Sequence, residues 1–294
     1  MMNATKPWCY SHTQLAMWKR CKRLYYNAYV LGKKEPTTPN MAAGTWLAQE
    51  PIERWEASGR QLVDIDLWYE SVWANFLAEF GGDDSYDSPI FTLDLAKRIL
   101  AAYKANPVQG RVVEIEHTYE KEFPGGYLYT SRPDFVVERQ TSNSADLAFG
   151  DCVPIRRTTW DIKLKTFNQA RAGDTFYANA KLSAFDDQCL GQAILSSADA
   201  FGQIIFLVGK KDATLVGPVY LEQPVDPVLA REWKRETLAE IQNIADWRAN
   251  LEPGSHDPDL NIPWPKNTNA CHDFGKNCHC LAACNFGFEV KHGT

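Results

Sequence analysis

The chain has 294 residues, of which 45% are hydrophobic and 23% charged, and a formal net charge of −6. That length buries a sizeable core in one large domain or two small ones; the negative balance excludes whole-molecule attraction to nucleic acid and leaves phosphate binding to local basic patches; no apolar run is long enough to cross a bilayer. The first residues, MMNATKPWCYSH, lack a basic segment followed by an apolar one, so the sequence predicts no secretion signal, a cytoplasmic and reducing location, and cysteines used as ligands, nucleophiles or core residues rather than disulfides.

The first third reads as helical. Ser11, with Gln14 three residues on, resembles a capping box. Leu15, Trp18, Tyr25 and Tyr29 form one stripe at helical spacing, and Met17, Cys21, Leu24 and Ala28 form the neighbouring stripe, which predicts one helix buried over much of its circumference. Further helices are expected over Thr45–Ala57, Leu67–Phe80 and Leu93–Tyr103, with a loop over Gly81–Pro89. After Pro107 the period changes. Val113, Ile115, Tyr119 and Phe123 alternate with Glu114, Glu116, Glu120 and Glu122, the pattern of a strand over Val112–Phe123. Gly125-Gly126 suits a hairpin turn into a return strand, Tyr127–Glu138. A polar loop over residues 139–157, a strand Thr158–Lys165, a helix near Ala184–Ala200, strands near Gln203–Val208 and Thr214–Leu221, and a long helix Pro227–Asn250 follow. This order predicts an α/β fold, a mixed central sheet flanked by helices. We expect a single domain over residues 1–294: an N-terminal helical region (1–107), a core (108–222) and a C-terminal helix with a cysteine-rich tail (223–294).

In "TTWDIKLKT" Asp161 and Lys163 are two residues apart and share a strand face, whereas Trp160, Ile162 and Leu164 take the other, suited to packing on a helix. A surface ion pair is one use of that arrangement. Asp134, in "SRPDFVVER", is disfavoured inside a strand and needs solvent or a reason. If the three strands are neighbours, Asp134, Asp161 and a Glu of the Val112 strand converge, and clustered carboxylates call for a hard cation, Mg²⁺ or Mn²⁺. Lys163 beside them would stabilise developing charge.

The order of "SHTQLAMWKRCKRLYYNAYV", "SRPDFVVE", "WDIKLKT" and "DDQCLGQAIL", spread over most of the chain, resembles the PD-(D/E)XK nucleases. It is most similar to their RecB-like branch, which includes the iron–sulfur nuclease domain of AddB and the nuclease of CRISPR adaptation. The resemblance implies a restriction-endonuclease-like core and a divalent-metal-dependent DNA nuclease, an exonuclease preferring single-stranded ends. Asp134 and Asp161 would be metal ligands together with the Ile162 carbonyl, Glu116 an additional acidic ligand, Lys163 the catalytic lysine, and Gln188 the glutamine that places the lysine or DNA. It also implies DNA as partner, no membrane, and a helicase, recombination or CRISPR-adaptation partner protein. Two motif positions depart from the family. Ala48 and Gln49 stand where a ligating histidine is expected, with Glu50 or Glu53 as substitutes, and Gln192 stands where the glutamine motif has tyrosine. A binding or assembly subunit that keeps the fold without cleavage is the alternative.

The tail, Cys271-x6-Cys278-x-Cys280-x3-Cys284, fits neither paired zinc knuckles nor the tight cysteine run of small ferredoxins. The resemblance implies a [4Fe–4S] cluster on Cys21, Cys271, Cys278 and Cys284, joining both ends of the chain. A zinc site within the tail that uses Cys280 is the other reading, with Cys21 then a core residue. Cys9, Cys152 and Cys189 are expected to be unligated.

Overall fold

A computed structural model of the chain describes residues 8–32, 39–61, 65–80, 92–140, 154–167, 187–209 and 213–249. The expected Gly81–Pro89 loop, Cys152 and the whole cysteine tail lie outside the described residues. In chain order the elements are β1 (Cys9–Ser11), α1 (His12–Arg20), α2 (Lys22–Tyr25) continued by a π-helical turn (Tyr26–Val30), α3 (Pro39–Gly44) leading through a second π-helical turn (Thr45–Gln49) into α4 (Glu50–Ala57), α5 (Ile65–Phe80) and α6 (Leu93–Ala105). They continue with β2 (Arg111–Ile115), β3 (Tyr119–Phe123), β4 (Tyr127–Ser131), β5 (Phe135–Gln140), β6 (Ile155–Phe167), α7 (Asp187–Ser196), β7 (Ala200–Gly209), β8 (Leu215–Pro224) and α8 (Pro227–Ala249). The fold is therefore α/β with mixed sheets flanked by helices, as the alternation of periods predicts. The chain divides into two compact units, one of Met1–Pro36, Lys121–Thr130 and Glu232–Thr294, the other of Thr37–Glu120 and Ser131–Arg231.

In the larger unit a five-stranded sheet runs in the order β2-β5-β6-β7-β8. The pairs β2–β5, β5–β6 and β7–β8 are antiparallel, and β6–β7 is parallel with Asp161 opposite Gln203 and Lys163 opposite Ile205. One face carries Phe135, Val137, Trp160, Ile162, Ile204 and Phe206 into a core with Leu47, Ile52, Leu95, Ile99 and Tyr103 from the helices, and Leu164 packs at its margin. The expected packing of Trp160, Ile162 and Leu164 against helices is thus observed. Gly202 gives the Trp160 ring its place: a Cβ there would lie 2.5 Å from the ring and 2.5 Å from the Leu221 carbonyl oxygen. A buried clamp joins α4 to α6, where Glu56 accepts from the Tyr103 hydroxyl at 2.7 Å and pairs with Arg60 at 2.8 Å. On the opposite face of the sheet α7 packs against β6 and β7.

In the smaller unit β1 pairs with β4 in parallel and β3 completes a three-stranded sheet. The Ser11 hydroxyl caps α1 by accepting from the Gln14 amide. The single helix expected beyond Ser11 is interrupted at Cys21, whose backbone is extended (φ −161°, ψ 113°), so the two apolar stripes belong to two short helices. Trp18, Tyr25 and Tyr26 gather around Trp247 of α8 with ring centroids 5.2–6.3 Å apart.

Both long strands expected after Pro107 are also broken. Val112–Phe123 divides at Glu116, which sits in the left-handed region (φ 47°). A bulge between Val112 and Glu114 turns Val112 together with Ile115 to the core, so Val113 is not on that face. Tyr127–Glu138 divides at Arg132-Pro133-Asp134, where Pro133 has no N–H to continue a ladder. β4 and β5 consequently enter different sheets. The helix expected to reach Ala200 stops at Ser196, and the strands β5 and β6 extend into the expected 139–157 loop.

Candidate active site

Asp134 stands at the break before β5, and the antiparallel register that pairs Phe135 with Trp160 brings it beside Asp161 in the middle of β6. Both carboxylates are buried, 8% and 4% exposed. Asp134 Oδ2 accepts from the Ile162 amide at 2.6 Å, and its Oδ1 accepts from Gln49 Nε2 at 3.0 Å. Two positions along β6, on the same face as Asp161, the Lys163 ammonium pairs with Asp161 Oδ2. The structure therefore brings Asp134, Asp161 and Lys163 together beside the Ile162 amide; strand spacing predicts that Asp161 and Lys163 share a face, and the approach of Asp134 meets the condition that its strand lies beside theirs.

The electrostatics follow from burial of like charges. Asp134 is pushed well above the usual carboxylate range by burial and then by the Asp161 charge, with Glu53 adding to the rise; the Ile162 amide and Lys163 pull the other way. Burial works to lower the Lys163 pKa, but Asp161, by charge and hydrogen bond, and then Asp134 outweigh it, so the net displacement is upward. Lys163 is a cation at neutral pH.

Around Asp134 lies a second acidic group. Gln49 Nε2 is 2.9 Å from Glu53 Oε1, 3.0 Å from Asp134 Oδ1 and 3.3 Å from Glu116 Oε1. Glu116 is exposed, and Arg132 stands 3.5 Å from its Oε1. Burial raises Glu53 from 4.5 to about 7; Glu116 and Glu50 add to this, and the Gln49 hydrogen bond and Arg132 oppose it. Glu50 is raised by burial, with Glu116 adding and Arg54 opposing. The position expected to hold a histidine thus carries a neutral amide donor shared by three acids.

Gln188 is half-buried in the first turn of α7. The next residue, Cys189, is buried, accepts from Gln203 Nε2 at 3.5 Å, and lies near enough to Lys163 to affect its titration. Gln192, one helical turn on, is fully buried and donates through Nε2 to the Arg132 carbonyl at 3.2 Å, fastening the segment that carries Asp134. Sequence reasoning gave Gln49 and Gln192 no role. Their signal was that each stands at a motif position where the sequence departs from the family it resembles.

The donors at Asp134 and Asp161 are all oxygens, and the buried carboxylates outnumber the ammonium between them, which suits a hard divalent cation. Among the described residues no group of three His, Cys, Asp or Glu forms a metal cage. In the smaller unit Cys21 is a free, half-buried thiol beside Met17 and Leu24. Its expected partners Cys271, Cys278 and Cys284 lie outside the described residues. Cys9 is exposed and Cys189 buried, and neither forms a disulfide.

No family model matches this sequence, and no curated protein matches it. Among solved structures the chain is similar to one titled "Crystal structure of SSO0001", at 14% identity over 78% of this chain and 85% of that one, with a TM-score of 0.26. A likeness at that level carries neither fold nor activity. Among the described residues no helix is long and apolar enough to cross a membrane.

Proposed function

We propose that this chain is a divalent-metal-dependent deoxyribonuclease on a restriction-endonuclease-like core. One observation supports the reading above others: two buried carboxylates side by side, Asp134 held to β6 by the Ile162 amide and Asp161 paired with the Lys163 ammonium. Asp134, Asp161 and the Ile162 carbonyl would hold Mg²⁺ or Mn²⁺, with Glu116 as an outer acidic contributor. When bound, the ion supplies Lewis-acid stabilisation of phosphoryl charge and a more acidic water. Lys163, cationic and aimed at this centre, stabilises negative charge developing on the phosphodiester. Gln192 holds the Asp134 segment in register, and Gln188 places substrate or lysine from the α7 terminus. The sequence resemblance adds exonuclease action on single-stranded ends, a structural [4Fe–4S] cluster on Cys21 with Cys271, Cys278 and Cys284, a cytoplasmic site of action, and a helicase, recombination or CRISPR-adaptation partner. The test is Lys163→Ala and Asp161→Ala against wild type on end-labelled single- and double-stranded DNA with Mn²⁺. Loss of cleavage in both variants supports the assignment, and equal cleavage overturns it.

A specific observation favours a second reading, a DNA-binding or assembly subunit without cleavage. Each carboxylate already has a donor from the chain itself, Gln49 on Asp134 and Lys163 on Asp161. Calorimetric Mn²⁺ titration separates the two. Binding that Asp134→Ala abolishes supports the enzyme, and no binding supports the subunit.

A further inference from the structure

The N-terminal segment of the smaller unit is basic in an acidic protein. Residues 8–32 carry Lys19, Arg20, Lys22 and Arg23 and no Asp or Glu. The same unit places Arg248 of α8 with its guanidinium carbon 3.5 Å from the centroid of the Trp8 ring and 5.3 Å from that of Tyr25. Its Nη2 donates to the Tyr29 carbonyl at 3.2 Å, which fixes the fork in place. Burial lowers its pKa and the nearby Tyr25 and Tyr10 counter this; among the described residues no carboxylate offsets the charge. Trp8 remains 57% exposed, the most exposed of the large aromatic side chains described. The stack holds Trp8 in place with more than half of its surface open to solvent, and beside it lies a guanidinium with no acidic partner among the described residues.

We propose that Trp8 and Arg248 form a contact for single-stranded nucleic acid, with a base stacked on Trp8 and a backbone phosphate paired to Arg248, the basic Lys19–Arg23 stretch of the same unit adding positive charge. Stacking on an aromatic platform is tolerant of sequence because every base has a π-face, and an arginine fork suits phosphate oxygens. Duplex DNA keeps its bases stacked inside and cannot use the Trp8 surface in this way. The contact stands on residues separate from the carboxylate site, and it rests on the nuclease reading only for calling the bound strand a substrate.

The experiment is fluorescence anisotropy of a labelled single-stranded DNA oligonucleotide with the full chain, in chelator so that no cleavage occurs. The variants are Trp8→Ala, Trp8→Phe, Arg248→Gln and, as a control in the other unit, Arg98→Gln. Trp8→Ala is expected to weaken binding about tenfold, within the range of one lost base stack, and Trp8→Phe to restore most of it. Arg248→Gln is expected to weaken binding and to reduce the slope of log affinity against log salt by about 0.7, one phosphate on a single strand. Arg98→Gln should bind as wild type. An RNA strand of the same sequence is expected to bind similarly, since neither contact reads a 2′-hydroxyl. Wild-type affinity and salt slope in Trp8→Ala and Arg248→Gln overturn the proposal, as does an equal effect of both variants on duplex binding. Because no cleavage is read, failure of the nuclease assignment leaves this result standing, and the reverse holds too.

Discussion

Glu53 offers a quantitative probe of the acidic junction. Its carboxyl is 8% exposed and titrates near 7 in the fold, against 4.5 in the unfolded chain. Below about pH 4.5 both states are protonated and the group has no effect on stability. As pH rises from about 4.5 to 7 the unfolded chain releases its proton first, so the folded state loses stability; above about 7 the loss is complete. At about 1.4 kcal/mol per pH unit the interval is worth about 3 kcal/mol. Glu53→Gln cannot ionise, and its amide oxygen can still accept from Gln49. The variant is therefore expected to match wild type at pH 4.5 and to exceed it by about 2–3 kcal/mol at pH 8.5, a rise in Tm of about 3–5 °C for a chain of this size. The assay is thermal and urea denaturation of both proteins in chelator from pH 4.5 to 9. Parallel stability curves across that range, or a less stable variant at pH 8.5, would refute the placing of Glu53 as a buried acid among acids.

Three further outcomes are expected. Gly202→Ala should destabilise the fold by about 1–3 kcal/mol, because the added carbon meets the Leu221 backbone as well as the Trp160 ring; an unchanged urea midpoint would mean that β7 and β8 separate freely there. Tyr103→Phe should cost about 1–3 kcal/mol by removing a buried donor from Glu56, read by the same denaturation, with no change expected in DNA binding. If the proposed iron–sulfur cluster is bound, anaerobically purified protein shows broad visible absorption that Cys21→Ser removes; colourless wild-type protein holding stoichiometric zinc would exclude the cluster.

The heart of the candidate site was legible because strand alternation is rigid. Asp161 and Lys163 at spacing two must share a face, and Trp160, Ile162 and Leu164 must share the other. That Asp134 approaches this strand was expected only if the strands are neighbours, a condition that the β5–β6 pairing meets. What surrounds it was not legible. Gln49 lies in a π-helical turn, which inserts an extra residue into the helical count and changes which side chains face the sheet. A period of 3.6 gives no warning of that shift. The breaks at Glu116 and at Arg132–Asp134 were hidden because apolar alternation continues on both sides of each; Pro133 was the one visible mark. The interruption at Cys21 is set by backbone conformation in a stretch whose residues all tolerate helix, and spacing does not register it.

The break between β4 and β5 has a practical consequence for dissection. The smaller unit draws on three stretches of chain, two of them near opposite ends and the third, Lys121–Thr130, supplied from within the other unit's sequence. No single cut therefore yields either unit intact: trimming from the front removes β1 from beside β4, and trimming from the back removes the helix that carries Trp247. Isolating one unit requires a redesigned connectivity, with Glu120 rejoined to Ser131 by a short linker on one side and the excised hairpin supplied separately on the other.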